Sequence, residues 1–393
     1  MANNITYDVG YKSINHYGEE LCGDHVERVS DFKHGTFAVV LADGLGSGVK
    51  ANILSILTSK IISTMMANGA YIEDCVATIA STLPVCKLRG VAYSTFSIAK
   101  VIKNNVIEIY EYDNPHFVML RNGVLFEPVC ETLTIEGKLI TKSTINVEEN
   151  DTLIFFSDGA VHAGIGAELN FGRERNEIAE FMQNMYDHSY SAKTLCTILS
   201  DKCNQLYEEK PGDDTTVLVI KARKKNDVNL VFGPPRNAED DAKMCEAFFT
   251  SPGKHIVSGG TTCNIISRYL QKPISAELDM YVKNDIPPMA KIEGCDLVTE
   301  GVITLSKVVE YASSFLYNNE KFYDWLYDND GASLITRCLL EEATDISFFV
   351  GTAINPAHQN PNLPISFNIK MRIIEELASK LREIGKRVTI NYF

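Results

Sequence analysis

The sequence lacks any stretch that approaches the roughly 20 consecutive apolar residues of a membrane-spanning helix. Its first 13 residues, MANNITYDVGYKS, also lack a basic segment followed by an apolar one, which is the pattern of a secretory signal peptide. We therefore expect a cytoplasmic protein that does not associate with a membrane.

Closely spaced cysteine pairs are also missing. The ten cysteines are scattered singly between Cys22 and Cys338, and no two of them form a CxxC pair. This spacing indicates neither a zinc ribbon nor a disulfide framework. Reduced thiols in a reducing compartment are the expectation.

Basic residues are outnumbered, because 37 Lys and Arg stand against 51 Asp and Glu, for a formal net charge of -14. A surface of this sign repels phosphate backbones and anionic lipids. Nucleic-acid and membrane partners are therefore not expected.

The length and composition predict an ordinary globular protein with two domains. The chain has 393 residues, of which 45% are hydrophobic and 22% charged, against about 100 to 200 residues per domain. A basic, polar segment followed by Gly233-Pro234-Pro235 marks the boundary. We predict one domain over residues 1–222, a linker over 223–236 and a second, smaller domain over 237–393.

The first domain reads as strands with grouped helices, which predicts an α+β layered fold. A helical period follows the first strand over Lys50–Met66, and another helix is predicted over Ala192–Leu206. The predicted strands are continuous apolar runs or alternating segments: Thr36–Leu41, Ala92–Lys100, Val106–Tyr112, Phe117–Leu120, Thr152–Ser157 and Thr216–Ile220.

The second domain alternates strands and helices, which predicts an open, mostly parallel α/β sheet of Rossmann-like type. The expected strands are His255–Ser258, Cys295–Val298, Ile346–Val350 and Arg387–Tyr392. The expected helices are Thr262–Leu270, Leu305–Leu316 and Phe367–Glu383.

Four aspartates stand at strand ends or beside glycine-rich turns: Asp24, Asp43, Asp158 and Asp213. Carboxylates placed in this way can meet at one edge of a sheet, where they repel one another unless cations lie between them. Oxygen ligands with water in the remaining positions suit Mg²⁺ or Mn²⁺. Each Asp-Gly pair alone is more typical of a turn, so the ordered set carries the hypothesis.

That ordered set resembles the type-2C (PPM) metal-dependent serine/threonine phosphatases, and in particular their bacterial SpoIIE-like branch. The resemblance covers about residues 1–222 and rests on Gly-Asp at Asp24, DGLGSG from Asp43, SDG at Asp158 and DDTT from Asp213. It implies an αββα sandwich and two divalent metal ions, Mn²⁺ or Mg²⁺.

The resemblance also implies roles for individual residues. Asp24 and Asp158 would bind one metal, Asp213 would complete that site, and Asp43 would bridge both ions. The Gly44 carbonyl oxygen would bind the second ion. A water that bridges the two metals would then hydrolyse a phosphoserine or phosphothreonine monoester, and a small regulatory protein such as an anti-sigma-factor antagonist is the implied substrate.

The chain departs from the family pattern at two positions. Gly23 stands where eukaryotic relatives often have a second acidic residue, and His162 replaces a glutamate common after the Ser-Asp-Gly motif. His25, His116 and His162 are candidate proton donors to the leaving oxygen, although packing histidines explain them as well. The helices predicted over Ala51–Met66 and Ile72–Leu83 are candidates for a regulatory switch.

In the second domain, Gly259, Gly260, Thr261 and Thr262 lie between a predicted strand and a predicted helix. Backbone N–H groups at such a helix start favour an anion, so a small anionic ligand is one interpretation. Tight turns and ordinary helix caps are the other. We expect this domain to sense a ligand or to dock a partner. The sequence does not decide whether the protein forms a homodimer.

Two other functions compete with an active phosphatase. One is a phosphatase fold that serves as a catalytically weak binding scaffold. It does not account for four clustered carboxylates, whose mutual repulsion destabilises the fold unless metal ions are bound. A histidine-kinase-type ATPase would share the Asp-x-Gly-x-Gly box, but it also predicts an Asn-rich helix and a glycine-rich lid that the sequence does not contain.

Overall fold

The computed structural model describes residues 5–31, 36–83, 94–103, 105–165, 174–276, 287–317, 320–353 and 365–393. The chain divides into two compact units, Met1–Lys224 and Lys225–Phe393. None of the helices in the described part of the chain has the length and hydropathy needed to cross a bilayer.

The described residues of the first unit form two antiparallel sheets. Their strands are β1 (Ile5–Ile14), β2 (Asp24–Asp31), β3 (Thr36–Asp43), β4 (Thr95–Lys103), β5 (Val106–Tyr112), β6 (Val118–Arg121), β7 (Val124–Phe126), β8 (Cys130–Ile135), β9 (Lys138–Asn146), β10 (Thr152–Phe156) and β11 (Thr215–Lys224). The orders are β1-β11-β10-β6-β7 in one sheet and β2-β3-β4-β5-β9-β8 in the other. Ala92 and Tyr93 of one predicted strand lie outside the described residues.

The helices of this unit are α1 (Gly48–Ala67), α2 (Ile72–Thr82), α3 (Asp158–His162), α4 (Arg175–Met185) and α5 (Ala192–Leu206). The two sheets pack face to face around a common core, in which Val39 and Leu41 of β3 meet Phe155 of β10 and Leu218 of β11. α4 and α5 cover the outer face of one sheet, and α1 and α2 cover that of the other. The unit therefore has four layers.

Helix α1 has an unusual distribution of side chains. Its buried positions include four small hydroxyl residues, Ser55, Thr58, Ser59 and Ser63. The hydroxyls of Ser55, Ser59 and Ser63 each donate to a carbonyl oxygen three residues earlier. Because these side chains are small, the helix can lie close to the sheet that carries Asp43.

The second unit contains one sheet with parallel and antiparallel parts. Its strands are β12 (Asp227–Phe232), β13 (Lys254–Ser258), β14 (Ser275–Ala276), β15 (Ala290–Lys291), β16 (Leu297–Thr299), β17 (Asp345–Val350) and β18 (Arg387–Tyr392). The order is β14-β15-β16-β13-β12-β17-β18. The five strands from β16 to β18 in this order pair in parallel, and β14 and β15 extend the sheet antiparallel.

Six α-helices accompany this sheet among the described residues: α6 (Asp241–Thr250), α7 (Gly260–Leu270), α8 (Val302–Tyr317), α9 (Phe322–Leu326), α10 (Gly331–Arg337) and α11 (Ile365–Ile384). The unit also contains a short 3₁₀ turn (Ala238–Asp240) and a π-helical turn (Cys338–Glu342). Residues of α6 and α7 pack against Val231, Val257 and Phe349 of the sheet.

The second unit begins earlier than the sequence suggests, at Lys225. Residues 223–236, predicted as a linker, contain the end of β11 and all of β12. β12 pairs with β13 on one side and β17 on the other. The apolar residues of β12 are buried in the second unit, so this segment is the middle of a sheet there and not a separate linker.

Candidate metal centre

The pairing of β2 with β3 places two of the four aspartates side by side. Asp24 is the first residue of β2 and Asp43 the last of β3, and the antiparallel register sets them opposite each other. The apolar run from Thr36 forms the strand that carries Asp43, and the glycine-rich turn after it leads into α1.

The other two aspartates lie at one end of the second sheet of this unit. Asp158 begins α3 directly after β10, and Asp213 lies in the turn before β11. β10 and β11 are antiparallel with Phe156 opposite Val217. The end of β10 and the start of β11 are therefore neighbours, which brings Asp158 and Asp213 together.

Ser157 links the ends of the two sheets. Its Oγ atom donates a hydrogen bond to Asp24 Oδ2 over 2.7 Å and accepts one from the Thr216 backbone N–H over 2.9 Å. Because Ser157 precedes Asp158 and bonds to Asp24, it connects the two pairs of predicted aspartates at one end of the sandwich.

The electrostatics of the site reflect this convergence. Burial, together with the charges of Asp24, Asp158 and Asp213, raises the pKa of Asp43 to about 10. Burial also raises the pKa of Asp24 to about 7, although the hydrogen bond from Ser157 acts in the opposite direction. The pKa of Asp213 is raised by burial and by the charge of Asp158. The carboxylates therefore favour a cation among them.

His162 approaches two of these carboxylates. Its Nδ1 atom lies 3.7 Å from Asp213 Oδ2 and 4.0 Å from Asp158 Oδ2. One ligand atom from each of these three residues lies within 4.8 Å of the others. Within the described part of the chain, no lysine or arginine forms an ion pair with Asp24, Asp43, Asp158 or Asp213.

Two buried carboxylate oxygens support a metal at this site. Asp24 Oδ1 and Asp214 Oδ2 are buried and have no hydrogen-bond partner among the described residues. An uncompensated buried oxygen is costly unless a cation or water completes it. Carboxylate oxygens are the ligands that suit Mn²⁺ and Mg²⁺, so the aspartates present fit the metals that the sequence implies.

Close backbone approaches explain two glycines of the site. A Cβ atom on Gly44 would lie 2.1 Å from the Ala51 carbonyl oxygen, and one on Gly23 would lie 2.6 Å from Asp214 Oδ2. The Gly44 N–H donates to the Gly23 carbonyl oxygen over 3.1 Å. A larger side chain at position 23 would displace Asp214. This explains why glycine, and not the acidic residue of eukaryotic relatives, stands at position 23.

Ser157 and Asp214 also belong to the charge arrangement, although sequence patterns alone do not assign them to it. Asp214 Oδ1 accepts a hydrogen bond from the His16 N–H over 2.9 Å. The adjacency of Ser157 to Asp158 and of Asp214 to Asp213 is visible in the sequence. Their contacts are not, because both reach residues far away along the chain.

The remaining candidate histidines lie in other settings. His25 Nδ1 is hydrogen-bonded to the Ser59 hydroxyl on α1 over 2.8 Å, and burial lowers the pKa of His25. His116 is hydrogen-bonded to Glu111. Asn114, two residues earlier, donates to Ser97 Oγ over 2.9 Å.

In the second unit, the four predicted anion-binding residues differ in their surroundings. Thr262 is buried, and its Oγ1 atom accepts a hydrogen bond from the Gly233 N–H over 2.9 Å. Gly259 has φ of 107°, a backbone conformation that favours glycine. Gly260 and Thr261 are exposed at the start of α7.

The family of the first unit follows from a comparison with known families. Residues 33–223 match the family model described as Stage II sporulation protein E (SpoIIE). These residues form a SpoIIE-family domain. The matched SpoIIE range contains Asp43, Asp158 and Asp213 and begins after Asp24. No curated protein sequence matches the chain.

Solved structures show weaker likenesses. The phosphatase domain of SpoIIE from Bacillus subtilis is 16% identical, with 56% of this chain and 94% of that chain covered and a TM-score of 0.44. The PP2C phosphatase domain of SpoIIE from Bacillus subtilis with a fragment of its regulatory domain is 18% identical, with 55% and 63% covered and a TM-score of 0.47. The chain thus spans less than two thirds of that second structure.

A third likeness is to RsbX in complex with magnesium, at 19% identity, with 56% of this chain and 97% of that chain covered and a TM-score of 0.36. At such identities and TM-scores, these likenesses carry no conclusion about activity or substrate.

Proposed function

We propose that the first unit is a metal-dependent serine/threonine phosphoprotein phosphatase that hydrolyses a phosphomonoester. The observation that supports this most directly is the meeting of four aspartates from two sheets at one end of a SpoIIE-family domain. Such a cluster is costly without cations, and phosphomonoester hydrolysis is a reaction that paired cations assist.

In this proposal the metal ligands are those implied by the sequence. The charges of the other three carboxylates all act on Asp43, so in this proposal it is the residue that would bridge two ions. Asp158 and Asp213 hold one ion, Asp24 adds its unpartnered Oδ1 oxygen, and the Gly44 carbonyl oxygen serves the second. Two bound Mn²⁺ or Mg²⁺ ions would neutralise the phosphoryl oxygens and activate water for in-line attack.

Other residues of the chain hold this arrangement. Ser157 orients Asp24 by donating to Oδ2, and Oδ1 is buried without a hydrogen-bond partner in the described part of the chain. His162, whose Nδ1 atom lies 3.7 Å from Asp213 Oδ2, is in this proposal the proton donor to the leaving serine oxygen.

The proposal is tested with p-nitrophenyl phosphate and a phosphoserine peptide in the presence of Mn²⁺. We expect Asp43→Ala and Asp158→Ala to lower turnover by at least about 100-fold, since loss of a supporting neighbour of a metal ligand already costs 10- to 100-fold. Asp201→Ala, which removes only an ion pair with Lys12, is the matched control and should keep wild-type turnover. Equal turnover in all four proteins would refute the site.

The alternative function is a phosphatase-fold scaffold with weak or no turnover. It predicts that the chain binds Mn²⁺ and yet hydrolyses neither substrate. Calorimetric Mn²⁺ binding measured beside the turnover assay distinguishes the two functions.

The substrate and setting follow by analogy with the SpoIIE-like branch. We propose a phosphoserine or phosphothreonine on a small regulatory protein of the anti-sigma-antagonist kind, in the cytoplasm of a bacterium. Phosphorylated candidate proteins, incubated with the enzyme and followed by mass spectrometry, would identify it.

We assign the second unit a regulatory role, through a small anionic ligand or a docked partner. Gly260 and Thr261 are the exposed residues at the start of α7 that a ligand could reach. Deletion of residues 225–393 should change the basal rate or the metal dependence of the phosphatase. If neither changes, the regulatory role is wrong.

A further inference from the structure

A second cluster of chemically active side chains lies in the first unit and involves none of the aspartates. Glu111 is near the end of β5, His116 lies in the loop between β5 and β6, and Cys130 begins β8. β8 is an edge strand of its sheet. The fold brings these three residues together in the order thiol, imidazole, carboxylate.

The carboxylate fixes the imidazole. Glu111 is only 4% exposed, its Oε2 atom is hydrogen-bonded to His116 Nδ1, and its Oε1 atom accepts from the Phe117 N–H over 2.9 Å. Since a carboxylate accepts hydrogen bonds, Nδ1 carries the hydrogen. The other ring nitrogen, Nε2, is then the free acceptor.

This free nitrogen faces the thiol. His116 Nε2 lies 3.5 Å from Cys130 Sγ. Cys130 Sγ also lies 3.2 Å from the Ser143 hydroxyl, on the residue opposite it in β9, and 3.5 Å from the Pro128 carbonyl oxygen. When the thiol gives up its proton to Nε2, the Ser143 hydroxyl can turn and donate to the thiolate.

Cys130 also differs from the other described cysteines in its exposure, because it is the one whose residue is exposed. Seven of the others have thiol pKa values raised by burial: Cys22, Cys75, Cys196, Cys245, Cys263, Cys295 and Cys338. Buried thiols of this kind are inert, whereas an exposed thiol beside a base is the reactive type.

We propose that Cys130 is a nucleophilic thiol, activated by His116, that exchanges with small-molecule disulfides such as oxidised glutathione. His116 acts as the base, and Glu111 is a positioning residue that holds its ring. An arrangement of nucleophile, base and orienting carboxylate is the general form of an activated nucleophile.

The exchange balances without a further oxidant. The Cys130 proton moves to His116 Nε2, and the thiolate attacks one sulfur of the small disulfide. A new S–S bond forms to Cys130 as the old S–S bond breaks, and the departing thiolate takes the proton from His116. The small disulfide is reduced by the same two electrons that oxidise the protein thiol.

The charged groups around this pair are themselves paired. Arg175 pairs with Glu127 and also donates to the His116 carbonyl oxygen. Lys142 pairs with Glu131 and lies 3.9 Å from Glu108. Among the described residues, Glu111 is the charged side chain that is hydrogen-bonded to the imidazole.

The test uses the full chain and the aromatic disulfide DTNB, whose release of thionitrobenzoate is followed by absorbance. We expect a fast phase in the wild type whose amplitude falls by one thiol in Cys130→Ser. Cys295→Ser, which removes a half-buried thiol, is the matched control and should keep the full amplitude. An unchanged amplitude of the fast phase in Cys130→Ser would overturn the proposal.

The role of His116 is tested by His116→Asn and by the pH profile of the rate. A free thiol is only a few per cent thiolate at pH 7, so loss of the base should slow the fast phase by roughly tenfold. It should also move the rise in rate to more alkaline pH. Glu111→Gln should move the profile in the same direction. Wild-type rates and profiles in both variants would contradict the activation.

A mapping experiment on the wild type keeps the proposal testable if a variant does not fold. The chain is treated with oxidised glutathione, digested without reduction, and its peptides are weighed. The mixed disulfide should be found on the Cys130 peptide. A mixed disulfide found on another cysteine and not on Cys130 would contradict the proposal.

Discussion

At the residue scale, Asp24 shows how the site is built. The side chain is 4% exposed, yet one of its oxygens has a partner in Ser157 and the other has none among the described residues. A carboxylate in this setting favours the neutral form until a cation arrives, which agrees with its raised pKa of about 7.

The hydrogen bond from Ser157 gives the first prediction. Ser157→Ala removes the group that orients Asp24, so we expect Mn²⁺ affinity to fall by about 10- to 100-fold in a calorimetric titration. Ser200→Ala is the matched control, because Ser200 is fully buried and its hydroxyl has no hydrogen-bond partner among the described residues. The same loss of affinity in both variants would contradict the role of Ser157.

The raised pKa values predict that metal binding releases protons. The pKa of Asp24 is about 7 and that of Asp43 about 10, so both carboxyl groups are largely protonated at pH 6 in the metal-free protein. A metal must displace these protons, and its apparent affinity should rise with pH between 6 and 8, by about tenfold per pH unit for each proton released.

Titrations in two buffers of different ionisation enthalpy count the protons directly. The contribution of Asp24 and Asp43 to the stability of the metal-free protein should also fall as pH rises from the ordinary Asp pKa of about 3.9 toward their raised folded values, since at these two positions only the unfolded carboxyls ionise in that range. Mn²⁺ affinity that stays constant from pH 6 to 8 would be the opposing result.

Much of the site at this scale could be predicted from the sequence, because strand ends carry Asp24, Asp43, Asp158 and Asp213. The contacts between residues on different strands could not be predicted from the sequence. The contact of Ser157 with Asp24 and that of Cys130 with His116 depend on strand order and register, which single-strand patterns do not encode.

At the element scale, the turn between β3 and α1 positions Asp43. Gly46 and Gly48 have φ of 93° and 68°, so the chain turns through conformations that favour glycine. Gly44 then lies against the first turn of α1, where the Ala51 carbonyl oxygen leaves no room for a side chain. The position of Asp43 is therefore coupled to that of helix α1.

This contact predicts the effect of a single methyl group. Gly44→Ala places a Cβ atom 2.1 Å from a backbone oxygen, so we expect a loss of about 1–3 kcal/mol in the free energy of unfolding. Gly212→Ala is the comparison, since its Cβ atom would meet only Tyr207 at 3.8 Å and should stay within about 0.5 kcal/mol of wild type. Urea unfolding measures both, and equal stabilities would refute the clash.

Elements with one clear period were predictable and others were not. The predicted strands over Val106–Tyr112 and Arg387–Tyr392 are β5 and β18 with the same bounds. β2, with sequence DHVERVSD, and β8, with CETLTI, were not predicted. Both are edge strands with many polar residues, and their pairing with a neighbour defines them more than their own hydrophobicity does.

At the scale of the whole molecule, the position of β12 decides where the chain can be divided. This strand follows the first unit in sequence but pairs with β13 and β17 of the second. The polar segment before the prolines suggested a linker, because a short strand with Asp227 and Asn229 has a weak pattern.

The boundary after Lys224 predicts which fragments fold. Residues 225–393 should give a cooperative thermal transition, whereas residues 237–393 should not, because the sheet then lacks a central strand. Residues 1–224 should fold and keep measurable Mn²⁺-dependent phosphatase activity, at a basal rate or Mn²⁺ requirement that differs from that of the full chain. Circular dichroism of the fragments is the measurement, and a stable, cooperative 237–393 fragment would show that β12 is dispensable.

The central claim is that carboxylates from two sheets jointly hold a pair of divalent ions. Equilibrium dialysis with Mn²⁺, read by electron paramagnetic resonance, tests it most directly. We predict two ions per chain at saturation in the wild type and in Asp201→Asn, with spin coupling between them, and loss of that coupled pair in Asp43→Asn. Uncoupled ions, or equal binding in the wild type and Asp43→Asn, would contradict the account.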